Sequence, residues 1–433
     1  MKTTALLLFS VATALTGQAQ QVWSYKDCVD YAREHNISLQ QSRLSAESSQ
    51  YSVEAAKAQW IPSVDFSTSQ GFKNTPLAQN GVNKNTYSSS YGFNGSWTVW
   101  DGGSRENTIK RTELQTSIAD LNTSDLFRTI ETNLLSLYIN ILYARETIVI
   151  NRDAAEVSAA QVERARQLME SGRLSKVDYQ QIVAQNEQDK YAIVSAQSSY
   201  DSQRMQLKKL LELGIGDSLA LEPYDWTEAE VLAQAAPIEQ SYQMALATDA
   251  AYEASQLEIE SADYNTKIAK SSKYPQIALN ASVGTGYNAP GEAWTNQMKW
   301  GLNEQVGLSV SVPILDNKRN KVAVAQAKID KMNAELDKEA RANELSQIVE
   351  GWYIDLQSAQ ARYVSGQAQL ESTALSDEYV NEQFKVGKVN TVELITAHNN
   401  LLSARRELLQ AKYMAMLSQK MIEYYRTATV TMP

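Results

Sequence analysis

The spacing of apolar residues switches between two periods along this chain, and the switches outline its elements. From about Tyr25 to Gln59 the apolar positions recur at helical spacing, opened by Ser24 and Asp27 at capping-box spacing and closed by Ile61-Pro62. The period then becomes two. Val64, Phe66, Thr68 and Phe72 alternate with Asp65, Ser67, Ser69 and Gly71. After a polar stretch from Lys73 to Thr86, the alternation resumes. Tyr87, Ser89, Tyr91, Phe93, Trp97 and Val99 share one face, and Ser88, Ser90, Gly92, Asn94, Ser96 and Thr98 the other. This predicts two strands joined by a loop. Asp101-Gly102-Gly103-Ser104 predicts the strand-to-helix turn, with Asp101 as its cap. Helical spacing then runs from about Arg105 to Met169, a helix of roughly 100 Å if unbroken.

At Ser171-Gly172-Arg173-Leu174-Ser175-Lys176-Val177-Asp178 a glycine interrupts the helical pattern, and a capping residue and an acid follow at three-residue intervals. The same syntax returns at Val386-Gly387-Lys388-Val389-Asn390-Thr391-Val392-Glu393, with Gly387 lying 215 positions after Gly172. Each stretch predicts a tight hairpin between two long helices. The strands repeat as well. Ile277, Leu279, Ala281, Val283, Thr285 and Tyr287 alternate with small and polar residues; a polar loop follows from Asn288 to about Asn303; Val306, Leu308, Val310 and Val312 resume the alternation. Pro313 to Lys318 parallels the segment ending at Asp101, and Tyr353-Ile354-Asp355-Leu356 echoes Tyr138-Ile139-Asn140-Ile141 at the same offset of 215. The chain is therefore read as an internal duplication.

The expected organisation follows. Residues 1–19 read as a signal peptide and 20–62 as the first helix of repeat 1. A strand pair at 63–100 precedes long helices and a hairpin at 101–213. Residues 214–236 connect the halves through turns and a short strand. Repeat 2 places a helix at 237–275, a strand pair at 276–313, long helices with a hairpin at 314–426, and a tail at 427–433.

Composition narrows the destination. Lys2, an apolar run from Ala5 to Leu15 and small residues at Gly17 and Ala19 predict export, with cleavage before Gln20. No later stretch is apolar enough for a membrane helix, so an exported chain has the periplasm, the exterior or an outer-membrane β-barrel open to it. The net charge of -10 argues against nucleic acid as a partner. Cys28 is the single cysteine, expected to pack on a helical face with Tyr25 and Ala32. The strands carry one apolar face and one small polar face, which suits lipid outside and water inside. Four strands cannot close around a lumen, and open edges cannot stand in lipid, so several chains must share one barrel. Two chains would satisfy closure as well as three.

This arrangement resembles the TolC-like outer-membrane efflux proteins. The resemblance rests on residues 62–105 and 275–319, on both hairpins, and on Phe384 to Ala397 with its continuation to Leu408. It implies a mixed α/β membrane protein: a homotrimer whose four strands per chain form a shared 12-stranded β-barrel, continuous with a long periplasmic α-helical barrel. Such a protein would be a passive exit duct in outer-membrane lipid. It would be joined through a periplasmic adaptor protein to an inner-membrane transporter of RND or ABC type, in an efflux or type I secretion system. The resemblance assigns adaptor docking to Gly172, Leu174, Val177, Gly387, Val389 and Val392. It places Asp178, Glu393 and Thr396 at the aperture, where some relatives carry an acid in the position of Thr396; local helix capping is the alternative role for Asp178 and Glu393. Tyr87, Tyr91, Trp97 and Tyr287 are candidate membrane-belt aromatics.

No catalytic, cofactor or metal pattern stands against this reading. His35 and His398 fall in opposite repeats and are expected to be structural or exposed, and Asp101-Gly102-Gly103-Ser104 lacks the ending of a phosphate loop. Two further functions remain compatible with the sequence: a periplasmic coiled-coil scaffold, and a surface adhesin with helical stalks.

Overall fold

A computed structural model describes residues 22–77, 83–430 and 432. The expected signal peptide lies outside the described residues. In chain order, β1 (Val22–Trp23) precedes α1 (Tyr25–His35) and α2 (Ile37–Ala58), then β2 (Ser63–Asn74), β3 (Asn85–Trp100), α3 (Ser104–Glu170) and α4 (Lys176–Leu210). The connector carries β4 (Ala220–Leu221) and α5 (Glu228–Val231). The second half contains α6 (Ile238–Thr248), α7 (Ala250–Ser271), β5 (Gln276–Ala289), α8 (Trp294–Trp300), β6 (Asn303–Ser311), α9 (Arg319–Lys385) and α10 (Thr391–Thr427). The two longest helices, α3 and α9, have 67 residues each, as a duplication requires. No described helix is long and apolar enough to cross a membrane.

The helix expected from Tyr25 to Gln59 is broken at Asn36, which takes an extended conformation. Its side chain explains the break: Asn36 Nδ2 donates to the Leu210 carbonyl at 3.0 Å, satisfying one of the open carbonyls that end α4. The second half breaks likewise at Asp249, which accepts from the Tyr252 N–H at 2.7 Å and starts α7. The polar loop expected between β5 and β6 contains α8.

The chain divides into two compact units. One holds residues 38–126 and 246–347. Its strands form one antiparallel sheet in the order β2-β3-β5-β6, so β2 and β6 are its edges. The register aligns Phe66, Phe93, Val283 and Glu304 across all four strands, and Leu279 with Trp97 and Leu308. One departure from strict alternation occurs at Val99. A register shift there pairs Trp100, rather than Val99, with Ile277, bringing Trp100 to the apolar face. Below the sheet, α2 runs beside the start of α3 through Ser42–Thr123 (2.7 Å) and Lys57–Glu113 (2.8 Å). The second half mirrors this, with α7 joined to α9 through Lys331–Asp263 (3.1 Å) and Asn320 Nδ2 donating to the Ala269 carbonyl (2.6 Å).

The other unit holds the remaining residues, including both hairpins. Leu134, Leu135, Tyr138, Ile139, Ile141 and Leu142 are buried along α3, as are Leu207 of α4 and Met416 and Tyr424 of α10. The two tyrosines at offset 215 do matching work here. The Tyr138 hydroxyl donates to the Glu222 carbonyl at 3.3 Å, and that of Tyr353 to the Ala236 carbonyl, so each half ties down one stretch of the connector. Cys28 is fully buried beside Tyr25 and Ala32, and burial pushes its thiol pKa up to about 12.

Candidate functional site: paired hairpins and an open sheet

Each hairpin is built from a Schellman turn. Gly172 takes φ +73°; its N–H donates to the Met169 carbonyl (2.9 Å), and that of Arg173 to the Leu168 carbonyl (2.8 Å). Gly387 takes φ +74° with the equivalent bonds, to Phe384 (3.0 Å) and from Lys388 to Gln383 (2.9 Å). The next helix starts on a side-chain cap. Ser175 Oγ accepts from the Asp178 N–H at 3.0 Å, and Asn390 Oδ1 from that of Glu393 at 2.9 Å. Each cap's side chain also donates to the acid, Ser175 Oγ to Asp178 at 2.7 Å and Asn390 Nδ2 to Glu393 at 3.0 Å. The complete capping box, in which the acid also holds the cap's backbone N–H, forms instead at Ser24/Asp27 and Thr227/Glu230.

The tips share one core. Ala165 and Leu168 from α3, Ile182 from α4, Phe384 from α9 and Leu394 from α10 are buried together, and Leu174 and Val389 pack partly against them. Val177 and Val392 instead face solvent, 69 % and 62 % exposed. The six positions assigned to docking therefore divide into two backbone hinges, two inward anchors and two outward apolar residues. Asp178 is half-buried, and Glu393 and Thr396 are exposed.

A buried polar layer joins the same helices. His398 Nε2 lies 3.1 Å from Asp189 Oδ2, and Gln185 Nε2 donates to Asp189 Oδ1 (3.0 Å) and to Asn399 Oδ1 (3.1 Å). Burial would raise the Asp189 pKa, but hydrogen bonds from His398, Ser158 and Gln185 together hold it below the ordinary value. Asp377 has no such set. One of its oxygens is buried without a hydrogen-bond partner, and burial raises its pKa although a hydrogen bond from Asn381 and the neighbouring Arg405 and His398 oppose the shift. His398 is thus structural. Its partner stands 209 residues away, and no spacing in the sequence announces the pair.

The sheet is the second region. Its polar face carries Asp65, Ser67, Asn94, Asn280 and Ser309, with Asn94 Nδ2 donating to Ser67 Oγ at 2.9 Å. Its apolar face is bare: Val306 is 77 % exposed and Leu308 65 %, with Phe66, Phe93 and Val310 close behind. Tyr87 and Tyr287 approach to 6.3 Å between ring centroids, and Gln70 bonds both the Tyr87 hydroxyl and, at 3.0 Å, the Tyr91 hydroxyl. Trp97 is separate, its indole N–H donating to the Trp60 carbonyl at 3.0 Å. Sequence reasoning missed Trp294 and Trp300 of α8, which lie in a segment read as polar loop. Among the described residues no group of three or more His, Cys, Asp or Glu could hold a metal.

Comparison with known proteins places these features in context. The profile of the outer membrane efflux protein family matches residues 28–212 and 241–421. The outer membrane efflux protein BepC of Brucella suis biovar 1 (strain 1330) is 21% identical over 401 residues, spanning 93% of this chain and 84% of that protein. The outer membrane protein TolC of Escherichia coli (strain K12) is 21% identical over 424 residues, 96% of this chain and 84% of that protein. Among solved structures, the CusC channel superposes with a TM-score of 0.79 at 16% identity, covering 92% of this chain and 91% of that one.

Proposed function

The chain belongs to the outer membrane efflux protein family, and from that premise we propose that it is the exit duct of a tripartite export system, assembled as a homotrimer. As a family member it is a non-catalytic channel protein of the outer membrane, with a helical body extending into the periplasm. The finer reading is that three four-stranded sheets close one 12-stranded barrel and that the helices continue it as a periplasmic tunnel. The observation that carries this is the open sheet: among the described residues its two edge strands have no strand partner outside the sheet, and Phe66, Phe93, Val306, Leu308 and Val310 stand exposed on the apolar face between them. In water that face would forgo about 25 cal/mol for each Å² left unburied. In lipid it is solvated, provided both edges pair with other chains.

The hairpins supply the second half of the reading. Val177 and Val392 are apolar and exposed in the first turns of α4 and α10, just past the two Schellman turns, which suits them to meet an adaptor protein. Leu174 and Val389 set the tip geometry from within. Asp178, Glu393 and Thr396 would line the aperture, the two acids while also capping their helices. An inner-membrane transporter of RND or ABC type would supply the energy. The segments follow the organisation set out above, with strand pairs at 63–100 and 276–313 and the connector at 214–236 as a belt.

Reconstitution tests this. Detergent-extracted protein in a planar bilayer is expected to conduct and to have the mass of three chains. A monomer that is fully released by osmotic shock and carries no current would overturn the duct.

A further inference from the structure

We propose that α8 is a lipid anchor: Trp294 and Trp300 seat in the headgroup layer around the barrel and extend its aromatic belt across the β5–β6 connection. The inference rests on the reading of the apolar sheet face as lipid-facing.

The strand register sets the level of α8. On the apolar face, Ile277, Leu279, Ala281 and Val283 stand across from Val310, Leu308, Val306 and Glu304 in turn. From Ile277 to Val283 is about 20 Å of strand, which at a tilt of about 40° spans roughly 15 Å of the apolar band of an outer-membrane barrel, and the exposed Val312 continues the apolar run past Val310. Glu304 marks where the band ends. Beyond it the face turns to Tyr91 opposite Thr285, then Tyr287 opposite Ser89, then Tyr87 opposite Ala289. These are the residues of an interface, each with an apolar ring and a polar tip.

Helix α8 is fixed at this level and on this face. The Thr285 hydroxyl donates to the Met298 carbonyl at 2.7 Å, and Thr285 alternates in phase with Val283 and Tyr287. A lid over the lumen would have to hold the opposite face. The Gln297 amide makes the loop rigid, accepting from the Asn288 N–H (2.9 Å) and donating to the Asn288 (2.9 Å) and Glu292 (2.8 Å) carbonyls. The two indoles on this fixed platform are not folded into it: Trp294 is 52 % exposed and Trp300 76 %. Lys299 lies 5.0 Å from the Trp300 ring, where an ammonium can meet a lipid phosphate while its stem follows the apolar surface. The occupant is therefore lipid, in direct continuity with the bare sheet face.

Fluorine NMR of the full chain labelled with 5-fluorotryptophan tests this in nanodiscs of phosphatidylcholine and lipid A. Trp294→Phe and Trp300→Phe assign the two resonances, and Leu308→Trp adds a reporter within the apolar band. A headgroup spin label is expected to erase the Trp294 and Trp300 signals, and a water-soluble gadolinium chelate to leave them. A mid-chain spin label should erase the Leu308→Trp signal. If the chelate erases Trp294 and Trp300 while the mid-chain label still erases Leu308→Trp, the anchor is wrong and the lipid face stands. If the chelate erases Leu308→Trp as well, the lipid face itself is wrong.

Discussion

The two strand-to-helix turns solve one backbone problem with different side chains. In repeat 1 the turn is Asp101-Gly102-Gly103-Ser104-Arg105; in repeat 2, at offset 215, it is Asp316-Asn317-Lys318-Arg319-Asn320. Both place two consecutive residues at positive φ: +71° and +82° at the glycines, +52° and +67° at Asn317 and Lys318. Both aspartates close the turn in the same way, Asp101 accepting from the Arg105 N–H (2.9 Å) and Asp316 from that of Asn320 (2.8 Å). What differs is the packing. Arg105 donates to the carbonyls of Gln59 (3.0 Å) and Val99 (3.1 Å) and lies 4.0 Å from the Trp60 ring, whereas Asn320 reaches only one carbonyl, that of Ala269. A Cβ at Gly102 would stand 2.7 Å from the Ser271 carbonyl oxygen, a crowding that forces glycine. Duplication has preserved the path of the chain, while each copy meets the strain with residues its own neighbours allow.

The largest expected effect follows from that crowding. Gly102→Ala should destabilise the solubilised protein by at least ~3 kcal/mol, since clash and positive φ act together. Asn317→Ala in the other copy should lose only about 1 kcal/mol, the left-handed backbone penalty alone. Thermal unfolding of both variants checks the ratio. Equal losses would mean that the crowding around Gly102 relaxes freely.

The hairpins offer a parallel contrast between inside and outside. Val389→Asp should cost about 2 kcal/mol, because it places a carboxylate against the shared core of the tips. Val392→Asp on the exposed side should leave stability within about 0.5 kcal/mol and weaken adaptor crosslinking and export. Normal crosslinking and export in Val392→Asp would detach that position from docking.

The buried polar layer supplies a smaller, pH-dependent effect. Asp377 carries a raised pKa, so its ionised form opposes folding at neutral pH. Asp377→Asn should therefore stabilise by roughly 1 kcal/mol at pH 7. The gain should shrink as pH falls through the folded-state pKa and vanish below the unfolded value of about 3.9. Melting curves against pH check this, and a gain independent of pH would exclude the carboxylate as its source. Smallest is Lys318→Gly, expected to gain roughly 0.5 kcal/mol: relief of the left-handed penalty less the added entropy of an unfolded glycine. The same melts check it, and a loss would mean that the Lys318 stem packs usefully.

Much of this was legible in the sequence because it is repeated or periodic. The strands announce themselves by alternation, and the hairpins by a glycine followed by a cap and an acid at fixed spacing. What escaped depends on contacts between distant residues. Asn36 breaks a helix because the Leu210 carbonyl needs a donor, and His398 meets Asp189 only through the packing of two long helices. Helix α8 hid in a short polar stretch whose two tryptophans, six positions apart, show no strand or helix period. The shift at Val99 follows from pairing with β5, which no local alternation reveals.

The central claim is that the edges β2 and β6 of this sheet meet the edges of other copies. In a Cys28→Ser background, Ser67→Cys on β2 can be oxidised against single cysteines placed along β6 from Glu304 to Ser311, in outer-membrane fractions. The duct predicts that one register yields a covalent ladder ending at three chains. Crosslinking confined to the mass of one chain would contradict it.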